Sequence, residues 1–319
     1  MLQTLSALLP DIQNAHKKTP SEVRINSLQQ FNEYVNTTNF KEIEPVLVQD
    51  YLPILLKRLD DKPNVICEAE KVLSDIIQKL SIQSLPIFIE IITPELQIDS
   101  KWRIKFGCLK LLSLFLKRVF DLDRDLLSAC LPELIPLISS CVHDLKPEIS
   151  TESRQVLLQS MKGITNRDLE PFSEALVDAM INREQTEETI QKLGGVVFVQ
   201  TVEGSALSIV VPLLMAGFRQ NKAGVKRMCS RIVSNMSKLV EDPLEALPFL
   251  EELIPSLENA IDTIPDPEAR DVAQKTYQAL IKMRETAKPK PFRNMSFIEE
   301  RLNERLENTS NQLIRYLAT

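Results

Sequence analysis

The 319 residues hold 44% hydrophobic and 26% charged side chains with a formal net charge of −6, enough to bury a large core but with no chain-wide basic footprint for nucleic acid. Seven glycines and 5% aromatics argue against Gly-rich phosphate loops, frequent tight hairpins and most all-β architectures. Leu, Ile, Glu, Lys and Gln dominate, and these residues favour helix.

The chain opens on MLQTLSALLPDIQ, which has no basic region and meets Asp11 early, so a signal peptide is not expected. Beyond it a unit recurs: an apolar helix, often with an internal proline, then a polar turn, then a second apolar helix. The first halves are VLVQDYLPILLKRL, LLSACLPELIPLISSCV, ALSIVVPLLMAGF and ALPFLEELIPSLENAI. Their turns are DDKPN, HDLKPEI, RQNKAG and DTIPDPEA, and the second halves begin VICEAEKVL, TESRQVLL, VKRMCSRIV and RDVAQKTY. Matching prolines set the period: Pro53 to Pro136 is 83 residues, Pro136 to Pro212 is 76 and Pro212 to Pro255 is 43. Two helices per roughly 40 residues is the signature of HEAT or armadillo repeats. An internal proline kinks the first helix, because it removes one intrahelical bond and clashes with the preceding turn.

Seven pairs are expected, at 2–36, 45–80, 82–119, 126–163, 168–201, 205–240 and 243–283. The fold class is therefore an all-α HEAT-repeat solenoid over 1–283. RETAKPKPFRN, with two prolines and four Lys/Arg, reads as a linker at 284–295. Ser296 and Glu299 have capping-box spacing and open a final helix over 296–319. The longest apolar run, Leu207–Phe218, is broken by Ser208 and Pro212 and is too short to span a membrane.

No Walker A loop, GxGxxG, CxxC or HExxH is present. His16 and His143 are the two histidines, and neither has a ligand partner at helical spacing. The reading is of no catalytic, cofactor-binding or metal-binding residues, no small-molecule substrate and no enzyme activity. Five cysteines, most on apolar helical faces, read as reduced core thiols of a cytoplasmic protein. Gly194 and Gly195 read as sites of close helix packing rather than a ligand loop.

Charge is unevenly spread. Lys101–Arg118 holds six basic residues and no acid, with Arg103, Lys110 and Lys117 forming a stripe at spacing seven. Gly204–Val240 again holds six and no acid, and Glu241–Asp271 follows with ten acids and one Arg. Two readings stand: solvated faces of a solenoid, or a strip for the phosphates of RNA, where each neutralised phosphate releases counterions. The candidate contacts are Lys101, Arg103, Lys105, Arg219, Lys222, Lys226, Arg227 and Arg231. Trp102, between Lys101 and Arg103, reads either as core beside Ile104 and Phe106 or as a platform for a base.

The stretches DSKWRIKFGCLKLL (99–112), LPELIPLISSCVHDLKPEI (131–149), NRDLEPFSEALVDAMI (166–181), LSIVVPLLMAGF (207–218), GVKRMCSRIVSNMSKLVEDP (224–243) and IPDPEARDVAQKTYQAL (264–280) resemble the N-terminal HEAT domain of the translation elongation factor 3 family. They fall in that family's order. A related HEAT segment occurs in the large ribosome-bound activator of the amino-acid-starvation kinase, which is the alternative. In the elongation factor family a helical bundle and two ATP-binding ABC cassettes follow the array. No cassette motif occurs in these residues, so the resemblance does not imply ATP hydrolysis. It implies ribosome docking, through small-subunit rRNA and ribosomal proteins, with any ABC-type ATPase supplied by a partner. The rival expectation is a protein–protein scaffold without RNA contact.

Overall fold

A computed structural model describes residue 12 and residues 20–97 and 99–287. The first helix of the first expected pair, His16, most of the linker and the expected helix at 296–319 lie outside the described residues. Among those described, every regular element is helical and no strand occurs.

The helices alternate between two rows. One row holds the second helix of each pair: α1 (Ser21–Thr37), α4 (Pro63–Lys79), α6 (Trp102–Leu122), α8 (Pro147–Met161), α10 (Thr186–Gly194), α12 (Ala223–Ser237) and α14 (Pro267–Thr286). The other holds α2 (Phe40–Val46) with α3 (Leu52–Leu56), then α5 (Leu85–Ile92), α7 (Arg124–Val142), α11 (Gly204–Phe218) and α13 (Pro243–Thr263). A further short helix, α9 (Ser173–Ile181), opens the fifth pair. Consecutive second helices stack: α1 on α4, α4 on α6, α6 on α8, and α12 on α14.

The turn sequences explain the starts. Pro63, Pro147, Pro243 and Pro267 stand at first helical positions, where a missing N–H costs nothing and the fixed φ suits the helix. Asp123, Asp242 and Asp266 cap α7, α13 and α14 by accepting N–H bonds from the first turn. Internal prolines remain in α7 (Pro132, Pro136), α11 (Pro212) and α13 (Pro248, Pro255). At Pro53 the missing N–H falls beside a π-turn, Leu47–Tyr51, which joins α2 to α3.

No pair buries its apolar faces alone. One apolar cluster runs from Ile12 to Leu280, completed by neighbours along the array. On α6 the inward positions Ile104, Cys108, Leu112, Phe115 and Val119 recur at three- and four-residue steps, and Phe115 meets Phe88 of α5 edge-on at 5.6 Å. Truncating Phe115 to Ala would cost about 3–5 kcal/mol. The apolar run picked out by sequence becomes α11, with twelve of its residues buried between α7 and α13. Helix α7 is long and apolar enough to cross a membrane, but it packs inside the array against α8 and α11.

Side-chain hydrogen bonds between repeats carry the period directly. Apart from Arg154 to Asp178, 24 residues apart where the short fifth pair begins, their sequence separations run from 35 residues (Lys222 to Glu187) to 46 (Ser113 to Gln159).

The fifth pair departs from the rule. Its helices α9 and α10 are short, and α7 packs directly on α11, so neither enters the first-helix row. Instead α9 lies on α8 and α10 on α12. The segment 195–203 crosses back and is strapped in place. Asp168 Oδ2 accepts the N–H groups of Val199 (2.8 Å) and Gln200 (2.9 Å), and Asn166 donates to the Thr201 carbonyl (3.2 Å). Gly194 ends α10 where a Cβ would lie 2.1 Å from Met228 Sδ of α12, so close packing is its role. A Cβ on Gly195 would meet only its own helix's carbonyls, at 3.4 Å and beyond.

Candidate functional site

The short turns within each pair line one edge of the solenoid, and ion pairs join several neighbouring ones. Lys101 and Arg103, at the start of α6, both reach Asp60 in the preceding turn. Lys105 reaches Asp144 in the following turn at 2.9 Å. Lys222 meets Glu187, and Arg227 meets Asp266 and Glu268 at 3.7 and 3.5 Å, whereas the Arg154–Asp178 pair at 2.8 Å joins the middles of α8 and α9 and lies off this edge. The two basic stretches, distant in sequence, therefore share this turn edge.

The eight candidate cations do not behave alike. Lys101, Arg103, Lys222 and Arg227 are exposed and paired with carboxylates, and exposed Arg219 has no ion pair among the described residues. Lys105 is only 4% exposed, and burial with Asp144 takes it off the surface. Lys226, 8% exposed, donates to Thr263 Oγ1 at 2.7 Å and is likewise internal. Arg231 points toward the opposite edge, where its guanidinium donates to the Gly194 carbonyl at the end of α10. The exposed set on the turn edge is thus Lys101, Arg103, Arg219, Lys222 and Arg227, with Arg231 exposed on the other edge. Of the stripe on α6, Lys110 lies 4.5 Å over the Phe106 ring; beside the stripe, Arg118 caps the carbonyls of Ile77 and Leu80.

Burial opposes the charged form of Asp144. The Lys146 N–H and the Lys105 ammonium outweigh it, and together they hold its carboxyl below the ordinary range. Trp102 is not core. Its ring is 38% exposed at the start of α6, with Arg103 and Lys146 at 5.2 and 5.5 Å from the ring centre.

Sequence reading missed an internal charge group. Arg24 of α1 donates to Asp61 Oδ1 at 2.7 Å, and Arg58 reaches Oδ2 at 3.3 Å, all three buried. Burial lowers the Arg58 pKa, only partly offset by Asp61. The available signal was an opposite charge one period away, since Arg24 and Asp61 stand 37 residues apart.

The five cysteines are free thiols, four buried and Cys67 exposed. Burial pushes Cys130 and Cys229 up to about 12 and raises Cys108 and Cys141, the reverse of what a thiolate nucleophile needs. No group of three or more His, Cys, Asp or Glu positioned for a metal occurs among the described residues.

Two family models match, the EF3 N-terminal HEAT repeat over residues 2–157 and the elongation factor 3/GNC1 HEAT repeat over 184–291. The chain belongs to the elongation factor 3 HEAT-repeat family. It is 35% identical over 251 residues to elongation factor 3 of Pneumocystis carinii, covering 78% of this chain and 24% of the relative. It is 34% identical over 244 residues to that of Gonapodya prolifera (76% and 22%). Elongation factor 3B of Saccharomyces cerevisiae matches at 31% over 258 residues (80% and 24%). The chain thus spans about a quarter of the length of these elongation factors. Among solved structures, a designed armadillo repeat protein covers 86% of this chain and 99% of its own at 15% identity and a TM-score of 0.27, too slight a likeness to bear on function.

Proposed function

We propose that this elongation factor 3-type array is a non-catalytic ribosome-docking module of cytoplasmic translation elongation, with rRNA phosphates and ribosomal proteins as its partners. The observation that carries this reading is the convergence of two basic stretches on one solvent-facing edge, in a chain whose named relatives are elongation factors. The working residues are Lys101, Arg103, Arg219, Lys222 and Arg227. Turn residues of a solenoid are accessible without disturbing the core, and exposed ion pairs worth about 0–1 kcal/mol are exchanged for phosphate contacts at little cost. Catalysis, including any ATP turnover, falls to partners.

The test is co-sedimentation of the purified chain with ribosomes. Affinity is expected to fall steeply between about 50 and 200 mM salt, on the order of several hundredfold for five phosphates. Arg219→Glu, Lys222→Glu and Arg227→Glu together are expected to weaken binding at low salt at least about tenfold with the fold intact. Unchanged binding by the intact triple variant would overturn the reading.

One observation favours a protein scaffold instead. Helix α13 presents Glu251, Glu252, Glu258 and Asp262, all exposed and in no ion pair among the described residues, while most edge cations are already neutralised. Ribosome association insensitive to salt and to the triple variant, but lost on reversing these four acids, would establish that reading.

A further inference from the structure

At the fifth pair the two rows of the array are no longer equal. Elsewhere the second helices stack directly, but here α9 stands between α8 and α10. It buries Leu176, Val177 and Ala179, whereas α6 buries eleven residues. The long contact across this joint is α7 on α11, in the first-helix row. The two family models also part here, one ending at residue 157 and the other starting at 184. Hydrogen bonds anchor each side. Arg124 of α7 holds the loop before α9 through the carbonyls of Lys162 (3.0 Å) and Ile164. The end of the 195–203 segment is held by later pairs, with the Val202 N–H on the Leu239 carbonyl at 2.9 Å and the Gly204 N–H on Glu245 at 2.8 Å. Between these anchors run the bonds of Asp168 to Val199 and Gln200 and of Asn166 to Thr201, beside the Arg167 N–H on the Gln200 side chain at 2.8 Å. They therefore cross the joint.

We infer that the α7–α11 contact is a hinge between residues 20–163 and 204–287, and that the 195–203 segment is the restraint that limits its opening. Rotation about one line of packed helices tilts the two parts and keeps that line intact. Parting the second-helix row costs only the apolar burial of one short helix. The Arg154–Asp178 pair, which joins α8 to α9, is exposed and adds little. Asp168 restrains strongly because one carboxylate oxygen accepts two backbone N–H groups, and such charge-assisted bonds exceed neutral ones. Lys101 and Arg103 lie before the joint, and Arg219, Lys222 and Arg227 lie after it. The hinge angle therefore sets the distance between the two cation groups. The hinge itself does not rest on ribosome docking, since it is read on the purified chain alone.

Spin labels on the full chain test this by double electron–electron resonance. Cys67, the exposed cysteine, is changed to Ser, and the four buried cysteines, at most 6% exposed, stay unlabelled. One chain carries Gln155→Cys on α8 and Gln278→Cys on α14, which span the joint. The other carries Gln30→Cys on α1 and Gln155→Cys, which span as many pairs before it. All three positions are exposed. Asp168→Ala should raise the ratio of open to restrained molecules about tenfold in the 155–278 distance distribution. The 30–155 distribution should stay as in the parent. Asp168→Asn, which keeps a neutral acceptor, should fall between parent and Asp168→Ala. Both variants should fold, because Val199 is exposed and Gln200 half-buried, so water can take up the released N–H groups. An unmoved 155–278 distribution would overturn the proposal, and so would equal broadening of both distances. A lowered melting temperature with the 155–278 distribution unmoved would do the same, by making Asp168 a stabilising residue alone.

Discussion

Along the turn edge, Lys101 reaches Asp60 and Lys222 reaches Glu187, charge to charge. Along the opposite edge, Arg118, Arg124 and Arg231 reach backbone carbonyls near the ends of α4, α8 and α10. Acids do the converse job there: Glu44 accepts from the Ser81 N–H, and Glu245 from the Gly204 N–H at 2.8 Å. The difference lies in what is left behind when a side chain is lost. A helix end leaves orphan carbonyls, and an arginine supplies both donors and a charge that suits the dipole. On the turn edge an exposed carboxylate that loses its lysine returns to water. The second edge is therefore committed to structure, while the outer charges of the first are available for exchange with a partner. Basic residues in one family thus split by edge, and Arg231 belongs to scaffolding.

The largest expected effect lies beneath the turn edge, where the charge pairs are buried. Asp61→Asn removes the carboxylate that Arg24 and Arg58 share and should cost about 3–5 kcal/mol, read by denaturant unfolding. A small loss would mean that water reaches this group. Next comes a direct contest between edges. Arg231→Met leaves the Gly194 carbonyl without its donor and should cost about 1–3 kcal/mol. Lys222→Met, on the exposed edge, should cost about 0–1 kcal/mol. Raising salt toward about 1 M should shrink the second loss and leave the first. Equal losses would erase the distinction between the edges.

Much of this was legible in the sequence. Proline spacing and the polar turns located the pairs, because N1 prolines and capping aspartates act locally. The fifth pair was not legible. Its apolar positions fit two ordinary helices, and only packing shows that α7 reaches α11 past them. The charged residues were half legible. Arg103 and Lys105 are two residues apart on one helix, so they point to different sides, one to solvent and one into the next turn. A stripe drawn along one helix cannot show this; the partner 39 residues on, Asp144, can. Trp102 was left between two readings for the same reason, since apolar neighbours suggested core while its place at the first turn of α6 leaves it at the edge.

The smallest effect separates the edges by pH. Asp144 has a folded pKa below its ordinary value, held there by the Lys146 N–H and the Lys105 ammonium against the opposing pull of burial. A depressed carboxyl pKa stabilises the fold above the unfolded value of about 3.9 and loses that contribution as pH falls through the folded value. The turn edge should therefore weaken below about pH 4, and Asp144→Asn should remove this part of the slope. The Arg231 bond to the Gly194 carbonyl involves no carboxylate. Measured from pH 7 down to about pH 3, the stability difference between Arg231→Met and the parent chain should stay level. The difference between Asp144→Asn and the parent should close as the parent's own carboxyl takes up its proton. If it does not close, Lys105 is held by its apolar surroundings rather than by its charge, and the pairing along this edge is a consequence of packing instead of a cause.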